Sequence, residues 1–334
     1  QQGDRQSMKA IVNTAPGCLQ WQDEPTPEPG PGQVRIRTAA CGICATDLHM
    51  IAGWKRTGFP AIPGHEWSGV VDAVGPAGNT DLLGQPCVAD NVLGDGGEVG
   101  FEHPGGYGQY LLTEERNVYP LPGDFPLWTG ALIEPLAVCV RGLRRLRLED
   151  RSSALILGDG PIGLLMLLLL RSEGVRHIAI VGGRATRLAA ARGLGADQVL
   201  DYRELGSNPA EAIRRETGGP VANVIEASGS TDAMHVALDM PRPGGKVLVL
   251  GDYGLSQACF PWNHLLHREL ELIGSNASAG AWAEAVRLAT SGALPLDRLV
   301  SHRLPAASFE QAVELTRRAP EVIKVLIEWE GFPI

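Results

Sequence analysis

Apolar segments of two kinds alternate along the middle of the chain. Short apolar runs typical of buried strands are followed by longer stretches with helical spacing. Strands that alternate with helices predict a doubly wound parallel sheet with helices on both faces. The predicted strands are Ala154–Leu157, His177–Val181, Val199–Leu200, Val221–Glu226 and Lys246–Leu250, and the predicted helices are Pro161–Glu173, Arg184–Leu194, Pro209–Glu216 and Thr231–Leu238.

The pattern is less regular before this segment. The first third of the chain is rich in Gly and Pro, and its β-like runs, such as Val34–Thr38 and Gly69–Val74, are broken by turn clusters such as Pro25–Gly32. Gly94–Gly108 has seven glycines in fifteen residues, which predicts a loop. We therefore expect an irregular, mostly β domain here.

Beyond Gly274 the alternation fades, although some elements are still recognisable. Helices are predicted at Trp282–Thr290 and Phe309–Arg317, and a terminal strand at Val322–Ile327. A length of 334 residues suits two domains. We expect an α/β protein in which residues 136–274 form the doubly wound domain and residues 8–135 with 275–334 form the mostly β domain.

The charge balance excludes some classes of partner. A net charge of −9 argues against sequence-independent binding to nucleic acid and against an anionic membrane surface. The longest apolar run, Leu164–Leu170, is far shorter than the ~20 residues that span a bilayer. It predicts a helix buried on all sides instead.

The beginning of the sequence and its cysteines suggest a compartment. The polar segment Gln1–Ser7 precedes Met8 and is interpreted as a remnant added before the native start. The six cysteines are scattered, and no signal peptide is recognisable. Both observations favour the reducing cytoplasm.

A glycine-rich turn follows the strand Ala154–Leu157 and opens the next helix. It has the spacing G-x-G-x-x-G, which allows a tight turn, a close approach of the backbone to a pyrophosphate, and packing of helix on strand. The free N–H groups at the start of the helix favour phosphate. We predict a dinucleotide-binding site at Gly158-Asp159-Gly160-Pro161-Ile162-Gly163.

The end of the next strand predicts which dinucleotide binds. An NAD site usually has Asp or Glu there, to hold the ribose 2′-hydroxyl. Here the strand runs into Gly182-Gly183-Arg184, with Arg187 three residues later and no carboxylate in the turn. Arginines suit a 2′-phosphate, so NADP(H) is favoured over NAD(H). The alternative is that Arg184 and Arg187 are solvated residues at a helix start.

Three short segments carry side chains of the kind that bind zinc. They contain Cys41 and Cys44, then His65 and Glu66, then Glu134. Thiolate, imidazole and carboxylate are all zinc ligands. The sequence has no second cysteine pair with which Cys41 and Cys44 could form a zinc ribbon. Spacing alone leaves open that these are turn residues and a core thiol.

Together these segments resemble a known family. C-G-I-C-A-T-D-L-H, G-H-E-W-S-G, E-P-L-A-V and G-D-G-P-I-G occur in the order found in the zinc-containing medium-chain dehydrogenases, with most similarity to the sorbitol and threonine dehydrogenase branch. The resemblance covers the chain from Met8 onward and includes Gly105–Tyr110 and Ile323–Val325. It implies a GroES-like catalytic domain beside a Rossmann-type cofactor domain.

The resemblance implies roles for individual residues. The metal ligands would be Cys44 rather than Cys41, His65, and one or both of Glu66 and Glu134. Thr46 would place its hydroxyl beside the substrate oxygen, and Glu66 would also belong to the catalytic group.

The remaining roles concern proton movement and the cofactor. The resemblance implies that His49 passes the proton to solvent and that Asp47 orients the metal ligands. It further implies that Lys324 reaches the cofactor pyrophosphate.

In one respect the sequence departs from this family. Many relatives have four closely spaced cysteines that bind a structural zinc, but no cysteine lies between Cys87 and Cys139. We therefore expect one catalytic zinc ion and no structural zinc. The resemblance also suggests a homodimer or homotetramer.

The expected function is hydride transfer between a secondary alcohol or polyol, or the matching ketone, and NADP(H). One alternative is a threonine or amino-alcohol dehydrogenase that uses NAD, and another is a nucleotide-binding member without turnover. Zinc-free quinone and enone reductases lack this ligand set. Trp54, Lys55 and Arg56 follow the first metal segment and are candidate pocket residues.

Overall fold

The computed structural model describes residues 7–331, which divide into two compact units. Unit 1 comprises the residues up to Glu134 and those from Trp282 onward, and unit 2 comprises Pro135–Ala281. The chain thus returns to unit 1 after Ala281 rather than after Gly274. Of the predicted remnant Gln1–Ser7, residues 1–6 lie outside the described residues, and Ser7 begins the first strand.

The first part of unit 1 is mostly β, and its strands exceed the predicted runs. Val34–Thr38 lies within a strand that continues to Gly42, and Gly69–Val74 lies within one that begins at Glu66. The elements are β1 (Ser7–Ala15), β2 (Cys18–Pro25), β3 (Gln33–Gly42), α1 (Ala45–Ile51), β4 (Glu66–Val74), β5 (Pro86–Ala89), β6 (Tyr110–Glu114), β7 (Val118–Pro120) and α2 (Leu127–Gly130). The next helix, α3 (Ile133–Leu146), begins in unit 1 and continues into unit 2.

Unit 2 has the predicted alternation of strands and helices. Its elements are β8 (Ser153–Leu157), α4 (Pro161–Ser172), β9 (His177–Gly182), α5 (Ala185–Gly193), β10 (Gln198–Asp201), α6 (Pro209–Thr217), β11 (Val221–Glu226), α7 (Thr231–Asp239), β12 (Pro241–Val249), α8 (Asn263–His267) and β13 (Glu271–Gly274). Residues Gly163–Leu170 of α4 are all buried, which confirms the prediction of a helix surrounded by protein. Among residues 7–331, no helix is both long enough and apolar enough to cross a membrane.

The strands of unit 2 form a parallel sheet with the order β10-β9-β8-β11-β12-β13. This is the Rossmann order, in which the direction of strand addition reverses beside the first strand of the unit. Ligands of such sheets bind at the carboxyl ends of the strands next to this reversal. The loops after β8 and β9 are therefore placed to form a site.

The last part of the chain completes unit 1. It contains α9 (Trp282–Thr290), β14 (Val300–Pro305), α10 (Phe309–Arg318) and β15 (Lys324–Glu328). These strands extend a sheet with the order β14-β15-β3-β4-β5-β7, in which β6 also pairs with β3, while β1 and β2 pair with each other. Because β15 lies directly beside β3, the last strand contributes side chains to the region where the metal-type residues lie.

Candidate metal and cofactor sites

Three side chains of the metal-binding type converge in unit 1. Among residues 7–331, the ligand atoms of Cys44, His65 and Glu66 lie within 4.8 Å of one another. His65 and Glu66 are buried, and Cys44 is partly exposed. The set combines a thiol, an imidazole and a carboxylate, and zinc accepts all three.

Local structure explains how these side chains meet. Cys44 is the N-cap of α1, and Glu66 is the first residue of β4. Gly64, just before His65, has φ +98°, and a Cβ there would lie 2.8 Å from the Cys41 sulfur. Glycine is the residue that tolerates both the left-handed backbone and this close approach.

The Asp47 carboxylate holds two of these residues in place. One oxygen accepts the backbone N–H of Cys44 at 2.8 Å, and the other lies 3.1 Å from Nδ1 of His65. Burial alone would lower the pKa of His65, but the neighbouring Asp47 carboxylate outweighs it and raises that pKa well above its usual value. A carboxylate behind a ligand histidine fixes the ring and leaves Nε2 as the nitrogen for a metal.

Cys41 and Cys44 have different surroundings. Cys41 is fully buried in the apolar core of unit 1, and burial raises the pKa of its thiol well above the usual value. Cys44 instead lies beside His65 and within 3.7 Å of the Thr46 hydroxyl oxygen. This geometry favours Cys44 over Cys41 as the thiolate donor.

Lys324 lies at the metal-type cluster. Its ammonium forms an ion pair with Glu66, and it donates a hydrogen bond to the carbonyl of Ile43 at 3.3 Å. Although burial alone would lower the pKa of Lys324, the Glu66 carboxylate raises it. A Cβ on Gly42 would collide with the Glu66 carboxylate, so the glycine of C-G-I-C makes room for the pair. The resemblance assigned Lys324 to a cofactor phosphate, and that role remains a prediction beside the observed pairing with Glu66.

Glu134 lies outside the group of converging donors. It lies in the first turn of α3 and is partly buried. Burial raises the pKa of its carboxyl group above the usual value, and the positive charges of His65 and Lys324 oppose this effect. Its role as a fourth ligand therefore remains a prediction.

Thr46 and His49 share α1 with the Cys44 cap. Thr46 is partly buried, and His49 is exposed in the last turn of the helix. Residues three apart on a helix lie on the same face. The two side chains therefore lead from the metal-type cluster towards solvent.

An ion-pair cluster holds the glycine-rich loop Gly94–Gly108. Arg56 binds Glu102 through two nitrogens at 2.7 and 3.1 Å and binds Glu98 at 2.7 Å. Its guanidinium also lies 4.2 Å from the ring centre of Phe101, and that ring packs on His65 with 4.8 Å between centroids. Arg56, which was predicted to line the pocket, thus binds side chains of this loop. The sequence did not reveal this, because loop residues have no period that shows which way they point.

In unit 2, the glycine motif has the predicted geometry. Gly158 has φ +120°, and a Cβ there would lie 2.8 Å from the backbone of Ala227. Gly160 is the N-cap of α4, with Pro161 as its first residue, followed by Ile162. A Cβ on Gly163 would collide with the carbonyl of Gly158, so this glycine allows α4 to approach β8.

The turn after β9 contains a carboxylate in space, although its own sequence has none, as predicted. Asp159, from the glycine motif, reaches across to this turn, and its Oδ2 accepts the backbone N–H groups of Gly183 and Arg184, each at 2.9 Å. A Cβ on Gly182 would collide with the Asp159 side chain. The strand end has no acidic residue in sequence, but the neighbouring loop supplies one in space.

Arg184 and Arg187 flank this carboxylate at the start of α5. Arg184 is the N-cap of the helix, and Nη1 of Arg187 lies 3.9 Å from Oδ1 of Asp159. Burial and the neighbouring Arg184 lower the pKa of Arg187 to about 10, and Asp159 opposes this shift. Two cations and one carboxylate therefore share the turn after β9.

Comparisons with known proteins identify the family of this chain. Residues 30–123 match the model of the alcohol dehydrogenase GroES-like domain, and residues 161–291 match that of the zinc-binding dehydrogenases. D-arabitol-phosphate dehydrogenase of Enterococcus avium is 29% identical over 96% of this chain and 97% of its own length. L-threonine 3-dehydrogenase of Rhizobium etli is 29% identical over 96% and 99%.

A solved structure extends the similarity to the whole fold. A protein of Sinorhizobium meliloti, described as a zinc-binding dehydrogenase and solved with NADP, is 28% identical, with a TM-score of 0.89 over 97% of this chain and 99% of its own. The domain matches follow the same order as the metal-type cluster and the glycine motif. The chain belongs to the zinc-dependent medium-chain alcohol dehydrogenase family.

Proposed function

We propose that this protein transfers a hydride between a secondary alcohol or polyol, or the matching ketone, and NADP(H), with one zinc ion per chain. The observation that carries the proposal is the convergence of Cys44, His65 and Glu66 within 4.8 Å. Two of the three are held by Asp47, so the donors are pre-positioned for a metal.

The donor set fits a catalytic zinc site. Such sites usually have three protein ligands and one open position for water or substrate. Cys44, His65 and Glu66 would be the three ligands, and Glu134 is a further candidate carboxylate ligand. When bound, zinc supplies Lewis acidity, which lowers the pKa of an alcohol hydroxyl.

Two residues of helix α1 would then carry the proton of the substrate hydroxyl to solvent. The Thr46 hydroxyl lies 3.7 Å from the Cys44 sulfur, where it accepts the proton of a substrate hydroxyl and passes on its own. His49 is exposed at the end of the same helix and releases the proton to solvent. The nicotinamide cofactor supplies or accepts the hydride.

The preference for NADP(H) is supported by Arg184 and Arg187 at the end of β9. Guanidinium groups bind phosphate through charge-assisted hydrogen bonds, and a 2′-phosphate is the group that distinguishes NADP from NAD. The similar Sinorhizobium meliloti protein was solved with NADP. Replacement of Arg184 by Ala is expected to weaken NADPH binding and leave NADH binding nearly unchanged.

A second candidate is a threonine or amino-alcohol dehydrogenase that uses NAD. It is favoured by the 29% identity with L-threonine 3-dehydrogenase and by the Asp159 carboxylate at the end of β9. Steady-state rates with threonine, sorbitol and simple secondary alcohols, each with NAD and NADP, separate the two candidates.

For assembly we propose a homodimer or homotetramer. The strand β13 lies at one end of the sheet order of unit 2, and Leu272 within it is 41% exposed. Leu255, Trp262 and Leu266, from the segment before it, are also exposed. Apolar residues beside a sheet edge suit pairing with a second copy. Sedimentation of wild type and Leu272→Lys tests this, and an unchanged mass in the variant would count against the edge as the interface.

The decisive experiment combines metal content with activity. Cys44→Ser is expected to lose most of the zinc and activity, whereas Cys259→Ser, at an exposed cysteine, keeps both. Thr46→Ala is expected to keep the zinc and lose at least 100-fold in kcat, on the scale of general acid–base catalysis, and Thr46→Ser to recover most of it. Full zinc and activity in Cys44→Ser would refute the assignment.

A further inference from the structure

Asp159 is placed to influence the choice of dinucleotide. It occupies the variable second position of the glycine motif, and its side chain leaves that loop for the turn after β9. Only 8% of the residue is exposed. A nearly buried carboxylate costs free energy unless it is paired, so its neighbours explain its position.

Those neighbours are the groups that an anion at this turn would use. Oδ2 accepts two backbone N–H groups, those of Gly183 and Arg184, each at 2.9 Å. Oδ1 faces Nη1 of Arg187 at 3.9 Å. The Asp159 carboxylate thus already occupies the donors at the start of α5.

The same turn is where a Rossmann-type unit distinguishes its cofactors. The end of the second strand reads the adenosine ribose, through its 2′-hydroxyl in NAD or its 2′-phosphate in NADP. Arg184 and Arg187 attract a 2′-phosphate, whereas a carboxylate in the same turn repels it. We propose that the negative charge of Asp159 restrains the preference for 2′-phosphorylated dinucleotides, so that Asp159 is a specificity-determining residue. This inference rests on the proposed dinucleotide function of unit 2.

The size of the effect follows from Coulomb's law. A single charge about 6 Å from a phosphate, at an effective dielectric constant of about 40, changes the affinity by about tenfold. The 2′-hydroxyl of NAD carries no charge, so its binding changes much less. Loss of the Asp159 charge therefore widens the difference between the two dinucleotides.

Asp159→Asn isolates the charge from the hydrogen bonds. Both N–H groups bind the same oxygen, Oδ2, and the amide oxygen of asparagine can accept both from that place. The variant therefore keeps the turn and loses the charge. Asp159→Ser is a second variant that also removes the charge, should the amide disturb the fold.

Asp197→Asn is the matched control. Asp197 is also a carboxylate that accepts a backbone N–H, that of Ile178 at 2.7 Å, and pairs with an arginine, Arg171. It directly precedes β10 and lies beside the amino end of β9, at the opposite edge of the sheet from the cofactor loops. Its loss removes the same charge from the same unit without reaching the turn after β9.

The measurement is the dissociation constant of NADPH and of NADH for the zinc-loaded protein, from nucleotide fluorescence, with 2′,5′-ADP and 5′-AMP as competitors. The ratio of the NADH to the NADPH constant is expected to rise about tenfold in Asp159→Asn and Asp159→Ser and to stay unchanged in Asp197→Asn. An unchanged ratio in folded variants, or an equal loss of both nucleotides, would overturn the inference. Failure of wild type to bind either nucleotide would refute the proposed function instead.

Discussion

Lys324 and Glu66 form an ion pair in which the two side chains are only 4% and 2% exposed. The pair joins the first residue of β15 to the first residue of β4. Glu66 is thereby a charged member of the metal-type cluster even without an ion. If Glu66 binds a metal as proposed, Lys324 and the metal would share this carboxylate.

The pair can be tested through stability. Lys324→Met leaves the Glu66 carboxylate buried without its cation, which is expected to lower the free energy of unfolding by about 3–5 kcal/mol in metal-free protein. Chemical denaturation measures this. Lys9→Met breaks the exposed pair with Asp23 and is expected to change the value by less than about 1 kcal/mol. Equal effects of the two substitutions would contradict a buried, mutually dependent pair.

Asp47 is expected to control metal affinity. Asp47→Asn weakens the support of His65 and Cys44, and loss of such a partner typically costs about 10–100-fold in affinity. Competition with a chromogenic chelator measures the zinc dissociation constant. Asp72→Asn, at a carboxylate that pairs with Arg35 on the surface, is the control. Unchanged zinc binding in Asp47→Asn would show that His65 is oriented by other contacts.

The raised pKa of His65 predicts a pH dependence of the metal-free protein. A group whose pKa is higher in the folded than in the unfolded state adds stability below its unfolded pKa of about 6.5 and loses it as pH rises through the folded value. Asp47 raises the pKa of His65 most, ahead of Cys44, so the stability difference between wild type and Asp47→Asn is expected to shrink above pH 6.5. Thermal melts in chelator from pH 6 to 9 test this, and a difference that grows with pH would contradict it.

The Arg56 cluster is expected to stabilise the loop Gly94–Gly108. Arg56→Met removes contacts with Glu98, Glu102 and Phe101. Proteolysis within the loop should therefore become faster by about tenfold, the equivalent of one hydrogen bond to a charged group. Arg318→Met, at the exposed partner of Glu314 on α10, is the control.

Zinc affinity is a second readout for Arg56, because Phe101 packs on His65. A several-fold weaker zinc affinity in Arg56→Met would connect the loop with the metal ligand. Unchanged proteolysis would show that other contacts hold the loop.

Gly163 is expected to be essential to the cofactor unit. A Cβ added at this position would collide with the carbonyl of Gly158, so Gly163→Ala must move α4 away from β8. This is expected to lower the free energy of unfolding by about 1–3 kcal/mol and to weaken dinucleotide binding. Gly274→Ala is the matched control, because a Cβ there meets nothing within 4 Å. Denaturation and nucleotide titration test both variants, and equal behaviour would argue against close packing at this glycine.

The spacing of apolar positions and the turn residues predicted the sheet of unit 2 well. The strand Val221–Glu226 of unit 2 has the predicted bounds, as does the helix Trp282–Thr290 of unit 1, because apolar positions and turn residues mark both ends. β12 begins at Pro241 rather than Lys246, since the Pro and Gly residues at its start are typical of a turn and not of a strand. The predicted strand Val322–Ile327 is shifted to Lys324–Glu328.

Contacts between distant segments could not be predicted in the same way. The pairing of Glu66 with Lys324 depends on β15 lying beside β3. The sequence of a strand does not show which other strands it pairs with. The sequence did not show that the Asp159 side chain reaches the turn after β9, because side chains in a loop follow no regular period. The helix α3 was missed because Glu134-Pro135 reads as a turn, although proline is tolerated in the first turn of a helix.

The place of β15 in the sheet has a consequence for biosynthesis. Unit 2 is one continuous segment, and all its strands precede β15 in the chain. The cation that neutralises Glu66 is carried by this last strand. As the chain is made, unit 2 can therefore fold on the ribosome while unit 1 still lacks Lys324, so the buried pair with Glu66 forms only after β15 has been translated.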